Sequence, residues 1–357
     1  MYALCISFPT HPYFVEPHHL VLLQEFAFCI LLILWSGFDL RQEFSYIEYF
    51  AGMGNLTRCM KSAQYRSIRL DIKDHSPETK KNNYMDLASA AGMALAVIVL
   101  LKGLHDDFAS HYGMKCSSLC KVNVVTSMRS ACSSLGYTGH PSVMLTNKLL
   151  ERMCALVLLT TCLGGAWTVE QPGGSLMEFF PTWRFVVQNL FRVGGPAAVS
   201  TVKWWMQHYK APTAKRHYGY ANSPVVRRLD RGTLQRTKHG SDQQKIQTCE
   251  KYYDGSGKLR YKGTRHLKGT EIYPMAFARA MVDMVEDLKA GAKGKPELPA
   301  QGAPPALYTM TQLEWNTPED LWTFADFDQL FTYLRGSKRL RIPLEWRNVI
   351  PSKLKTG

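Results

Sequence analysis

An α/β fold, doubly wound about a mostly parallel sheet, is the prediction for this 357-residue chain, on three observations. Ser45 to Asp71 runs strand, glycine turn, helix, strand, acid. Further apolar helices then alternate with short strands, as in βαβ units. The chain is also 46% hydrophobic, enough for the core of one large domain with appendages.

The stretch from Ser45 to Asp71 organises the rest. Tyr46, Ile47, Tyr49 and Phe50 are β-formers, and Ala51-Gly52-Met53-Gly54 is a turn with two small backbones. Asn55 to Ala63 continues as a helix, Tyr65 to Leu70 as a second strand, and Asp71 stands at its tip. In a nucleotide-type site the glycines let backbone and ligand approach closely, and the carboxylate holds a ribose hydroxyl.

Before this stretch, His19 to Trp35 is apolar but carries Gln24 and Glu25 and lacks the basic start of a signal peptide. The uninterrupted run Phe26 to Trp35 is shorter than the about 20 residues that span a bilayer. A helix packed on the domain, an ill-defined leader and a membrane anchor are the readings it leaves. Beyond Asp71, Asp86 lies in Met85-Asp86-Leu87, ahead of a helix over Ala88 to Leu104 that has one charge, Lys102. Cys116 to Pro141 reads as a long loop, of the kind that often carries function. Thr146 to Leu163 is a second apolar helix, Ala166 to Gln171 a strand, Trp183 to Phe191 a helix and Val199 to Met206 a strand. Met275 to Leu288 is helical, and the Gly/Pro/Ala/Lys-rich stretch after it is a linker. In an open α/β sheet, Gly52, Gly54, Asp71, Asp86, Cys116 and Glu170 would then share one crevice at the strands' carboxyl ends.

The net charge of +14 is concentrated: between Gln207 and Lys268 fifteen Lys/Arg face four acids, interleaved with tyrosines. That pattern suits a polyanionic partner. Nine scattered cysteines without a CxxC pair argue against a zinc site or a disulfide framework, and for free thiols in a reducing compartment.

Taken in order, these motifs resemble those of the C5-cytosine methyltransferases, across Tyr46 to about Val285. Tyr46 to Thr57 is similar to that family's cofactor loop, with Glu48 at its leading acid and Asn55 where a glycine is usual. The resemblance implies S-adenosyl-L-methionine as cofactor, held by Phe50, Gly52, Gly54, Asp71 and Asp86. Lys115-Cys116-Ser117-Ser118 is similar to the nucleophile loop, without its proline and glutamine; Cys132 in Ala131-Cys132-Ser133-Ser134 competes. Cys116 is preferred because Val122 to Pro141 then becomes the loop that closes over a flipped base. Trp167 to Pro172 resembles the strand of the catalytic acid, Glu170, and Tyr209 to His217 the segment whose Arg216 or Lys215 faces the target. Tyr273-Pro274-Met275 resembles the start of the helix that completes the cofactor pocket.

The implied chemistry is consistent with these residue types. A thiolate adding to cytosine C6 makes C5 nucleophilic. Glu170 would protonate or hydrogen-bond N3, and Arg216 would hold the carbonyl. The base must be flipped out or come from a single strand, and Lys215, Arg227, Arg228 and Arg236 would lie against nucleic acid. The expected organisation is an apolar leader over 1–44, a methyltransferase core over 45–218, a basic target-recognition-like insertion over 219–271, a returning helix over 272–290, a linker over 291–306 and a tail over 307–357. DNA is expected ahead of RNA, and an intracellular setting with the nucleus ahead of the cytoplasm. An RNA enzyme and a catalytically silent nucleic-acid-binding relative are the alternatives.

Overall fold

A computed structural model describes residues 26–27, 29–74, 83–120, 123–234, 248–264, 267 and 269–293. In chain order the elements are β1 (Tyr46–Tyr49), α1 (Asn55–Ser62), β2 (Ser67–Leu70), α2 (Ala90–Leu101), β3 (Ala109–Tyr112), α3 (Val124–Ser127), α4 (Pro141–Cys162), β4 (Ala166–Pro172), α5 (Pro181–Gly194), β5 (Ser200–Trp205), β6 (Arg216–Ala221), β7 (Cys249–Tyr253), β8 (Leu259–Gly263) and α6 (Met275–Lys293). The six-stranded sheet has the order β2-β1-β3-β4-β6-β5. β2, β1, β3 and β4 pair in parallel, and β6 runs antiparallel to both β4 and β5. This is the expected Rossmann-like, mostly parallel sheet. Its topological switch lies between β1 and β3, where such folds open a ligand crevice.

Alternation along the strands sorts the core into two layers. Ile47, Tyr49, Tyr112, Trp167 and Val169 face α2, α4 and α5. Tyr46, Ala109, Val202 and Trp204 face α6 and the buried side of α1. Trp167, Trp183 and Trp204 are all fully buried, each stabilising by roughly 1.5–3 kcal/mol or more through area removed from water.

Local chemistry sets the helix starts. Gly54 caps α1 with φ 66° and has no side chain to offer. Glu48 on the neighbouring strand supplies the missing acceptor, taking the Thr57 N–H at 2.8 Å and the Thr57 hydroxyl. Ser89 caps α2 through the Gly92 N–H at 2.9 Å, and Pro141 and Pro181 open α4 and α5.

Several boundaries differ from expectation. α4 begins at Pro141 rather than Thr146, and α6 continues through Lys293 before any linker. β3, β6 and the β7–β8 hairpin are not foreseen by the sequence pattern. β3 is fully buried between β1 and β4 although its residues are Ala-Ser-His-Tyr. The apolar run before the sheet forms a helical segment over 29–35 that packs Ile33 into the core. Among the described residues, no helix is long and apolar enough to cross a membrane. The first 25 residues, Arg236 and the 307–357 tail lie outside the described residues.

Candidate active site

The carboxyl ends of β1 to β4 gather most of the residues singled out above. Phe50 leaves β1 with φ 57°, in the left-handed region, followed by Gly52 at φ 57° and Gly54 at φ 66°. The two glycines have different physical reasons. A side chain on Gly54 would strike the Arg69 guanidinium at 2.0 Å, so that glycine serves packing. A side chain on Gly52 would meet nothing within 4 Å, so its backbone borders open room. The Gly52 N–H donates to Asp71 Oδ2 at 2.7 Å, and Lys73 N–H to Oδ1 at 3.0 Å. The glycine loop is thereby closed onto the β2 tip. Asp86 sits in the turn before α2, where its Oδ1 accepts the Ala88 N–H at 2.9 Å. Arg152, buried on α4, fixes that turn by donating to Leu87 and Ser89 carbonyls, each at 2.6 Å.

After β3, Cys116 begins a single turn in which its carbonyl accepts the N–H of Leu119 at 2.9 Å and of Cys120 at 3.0 Å. Gln171 holds this loop by donating to the Met114 carbonyl at 2.8 Å, and Leu176 N–H reaches Leu119 O at 2.9 Å. The neighbouring Cys120 thiol and the Lys215 ammonium pull the Cys116 thiol below its ordinary range, against the effect of burial. Cys132 is exposed, beyond Arg129 in the same long loop. Arg129 is itself buried and donates to Ser134 O, Ser118 Oγ at 3.1 Å and Asn147 Oδ1 at 2.7 Å, which anchors the loop to α4. Burial lowers the Arg129 guanidinium to about 10.

Glu170 lies near the end of β4 and is buried. Its Oε1 pairs with His217 Nδ1, and its Oε2 accepts the Tyr273 hydroxyl at 2.6 Å. Burial alone would push Glu170 up; His217, Tyr273 and the Lys215 charge outweigh it and hold the carboxyl at about 2. The Tyr273 proton is committed to Glu170, so His111 Nε2–H donates to the Tyr273 oxygen at 3.1 Å. His111 Nδ1 then accepts from Thr168 Oγ1 at 2.7 Å. This tautomer is neutral, in keeping with burial holding His111 at about 4. The result is one hydrogen-bonded chain, Thr168–His111–Tyr273–Glu170–His217, buried except at the part-buried Tyr273.

Tyr273 also reaches the start of α1, beside the glycine loop. Its carbonyl accepts Asn55 Nδ2 at 2.7 Å, and its hydroxyl occupies the space a side chain at Gly113 would need, 2.6 Å away. Glycine at 113 is what lets the residue before α6 reach β3.

The structure brings Cys116, Glu170 and Lys215 together and leaves Arg216 apart. Arg216 is exposed and stacks its guanidinium 5.4 Å from the Trp205 ring. Strand alternation accounts for this: in the antiparallel β6 strand, neighbours point to opposite faces, so His217 faces Glu170 and Arg216 cannot. Arg227 and Arg228 lie in an exposed 3-10 turn, with Arg228 paired to Asp287. The roles of His217, Tyr273, His111 and Arg129 were not read from the sequence. Period-2 patterning over Arg216 to Ala221 was the one local signal for His217. Among the described residues, no group of three or more His, Cys, Asp or Glu is placed to hold a metal ion.

The fold and site define a Rossmann-like α/β chain with a thiol, a cation and a buried carboxylate beside a glycine loop. No family model matches the chain, and no curated protein sequence matches it. Among solved structures it is similar to the Dnmt2 methyltransferase of S. pombe, with 12% identity and a TM-score of 0.29, over 55% of this chain and 56% of that one. The chain thus spans little more than half the length of that protein. A likeness so slight adds nothing to the geometry, which carries the reading below.

Proposed function

We propose that this chain is an S-adenosylmethionine-dependent methyltransferase that acts on cytosine C5 in DNA, with Cys116 as nucleophile. The observation that carries this reading is the meeting of Cys116, Lys215 and Glu170 at the carboxyl ends of β3 and β4, beside a glycine loop closed onto Asp71.

The residues fit the cofactor. Gly52 borders open room, and among the described residues each Asp71 oxygen accepts one backbone N–H, leaving lone pairs for hydroxyls. Phe50, Gly52, Gly54, Asp71 and Asp86 would line it; when bound, it supplies a methyl group activated as a sulfonium. The chain's own residues do the rest. Cys116, whose thiol Cys120 and Lys215 pull below its ordinary range, adds to C6 of the ring. Glu170 and His217 act as a pair on the ring's N3 edge. The carboxylate positions the imidazole, whose Nε2 is buried with no partner among the described residues and is left for a bound ring to engage. Lys215 takes the cation's place that Arg216 cannot occupy. Lys215, Arg227, Arg228 and Arg236, with the basic segment around them, would neutralise phosphates, with DNA as the target ahead of RNA.

A second reading is favoured by one observation. Both Glu170 oxygens are capped and the carboxyl is held at about 2, far from the range of a proton donor at neutral pH. A nucleic-acid-binding relative without catalysis would tolerate that arrangement.

The deciding experiment is trapping with 5-fluorocytosine in DNA and in RNA, with labelled S-adenosylmethionine. A covalent adduct that survives Cys132→Ser and disappears in Cys116→Ser supports the enzyme and its nucleophile, and the substrate that traps names the target. Absence of any adduct, with cofactor binding intact, leaves the silent relative standing.

A further inference from the structure

We infer that the outer face of the helical segment before the sheet rests on a lipid surface, with Leu31 and Leu34 entering the acyl boundary and Trp35 at the level of the headgroups. The inference does not depend on the proposed methyl transfer.

Phe26, Ala27 and residues 29–35 are helical. From Phe26 to Trp35 no residue is charged, and the polar side-chain groups are confined to the Cys29 thiol and the Trp35 indole. A surface helix ordinarily pairs one apolar stripe with a polar opposite face. This segment is apolar on both. Phe26, Cys29, Ile30 and Ile33 turn inward onto the core layer that holds α2, and Leu32 packs near Ala94. Ala27, Leu31, Leu34 and Trp35 are exposed, at the spacing i, i+4, i+7, i+8 that makes a single stripe along a helix. Leu31 is 56%, Leu34 53% and Trp35 54% exposed.

The stripe fits a bilayer surface better than a protein partner. Even a fully buried aromatic side chain contributes only about 150–250 Å², so these residues fall well short of the about 800 Å² per partner of a stable complex. They also offer almost nothing to hydrogen-bond, whereas protein interfaces carry about one hydrogen bond per 100–200 Å². A bilayer demands neither matched shape nor polar partners. Polarity also rises at the end of the stripe as a membrane boundary requires. Trp35 closes the apolar run, Ser36 donates its hydroxyl to the Ile33 carbonyl at 2.7 Å, Gly37 turns the chain with φ 68°, and the exposed pair Asp39 and Arg41 follows. An indole at such a border, with an apolar ring and a polar N–H, is characteristic of membrane–water boundaries. As a helix the run would reach about 15 Å, half the hydrocarbon thickness of about 30 Å, so it lies along the surface and does not cross it. The net charge of +14 adds attraction to an anionic leaflet.

The test uses the full chain. It is floated through a density gradient with vesicles of phosphatidylcholine and of phosphatidylcholine with phosphatidylserine, each at low and high salt. The expected result is a bound fraction that survives high salt and falls at least about tenfold in the triple variant Leu31→Ser, Leu34→Ser, Trp35→Ser. These side chains face outward, so the variant should melt as the native chain does. Trp35→Phe gives a second readout and keeps the stripe apolar. Brominated lipid should quench part of the native fluorescence, and that part should be missing in Trp35→Phe; the buried Trp167, Trp183 and Trp204 lie beyond its reach. Absence of flotation at high salt would overturn the inference, since binding that salt releases belongs to the basic segment. Flotation or quenching unchanged in the variants would do the same. So would a lipid-free self-association, seen by sedimentation velocity, that the triple variant abolishes, which would make the stripe a contact between copies. None of these readouts involves methyl transfer, so failure here and failure of the proposed function are told apart.

Discussion

The Tyr273 hydroxyl donates to Glu170 Oε2 at 2.6 Å across 103 residues of sequence. Through its carbonyl, the same tyrosine holds Asn55 at the start of α1. One residue therefore joins the glycine loop, the central strands and the returning helix, and several consequences are measurable.

Tyr273→Phe keeps the ring beside Phe277 and His111 and removes only the hydroxyl. A hydrogen bond to a charged group contributes roughly 1.5–3 kcal/mol, and a loss of that order is expected in chemical denaturation. Glu170 should titrate higher than in the native chain, which carboxylate-resolved NMR would read directly. An unchanged Glu170 titration would mean that the hydroxyl does not hold the acid.

Glu48 offers a pH test. Burial pushes it up to about 7, against the opposing Thr57 hydrogen bonds. Its folded value lies above its unfolded one, so the folded state binds the extra proton. Its contribution is fully present below about pH 4.5 and is lost as pH rises through about 7, by roughly 3 kcal/mol from this group. Glu48→Gln should flatten the pH dependence of stability over that window while weakening the cap on α1. A variant with the native slope would show that the carboxyl is not perturbed.

Asp71→Ala removes the acceptor of the Gly52 N–H and the proposed ribose contact. Calorimetry with S-adenosylmethionine should show binding weakened at least about tenfold, that is 1.4 kcal/mol or more. Native affinity in this variant would move the cofactor away from the glycine loop.

Arg129→Met exchanges a buried guanidinium for an apolar side chain and leaves Asn147 Oδ1 and Ser134 O without their donor. Each stranded acceptor costs about 1–3 kcal/mol. Amide exchange over 127–137 should speed up by roughly tenfold or more, with the middle of α4 unaffected. If that loop exchanges at its native rate, the arginine is not its anchor.

Much of the fold was legible because it is written in local patterns. The strand–glycine–helix–strand order of Ser45 to Asp71, the apolar helices read over Ala88 to Leu104 and Thr146 to Leu163, though not the Pro141 start of the second, and the strand bearing Glu170 follow from periodicity and turn residues. β3 was not legible. Ser110 and His111 make it read as polar, and only their partners Thr160 and Thr168, about 50 residues on, let it be buried.

The sequence by itself determined the sheet's framework and the glycine loop after its first strand. Tertiary structure decided which side chains meet. Strand alternation turned His217 and not Arg216 onto Glu170. The loop after β3, tied by Leu119 to Leu176 and by Cys120 to Ser175, set Cys116 within the field of Lys215. Tyr273 reached its site only because Gly113 leaves room for the hydroxyl. These are contacts between residues far apart in the chain, fixed by packing and hydrogen-bond satisfaction, and periodicity along one segment carries no record of them.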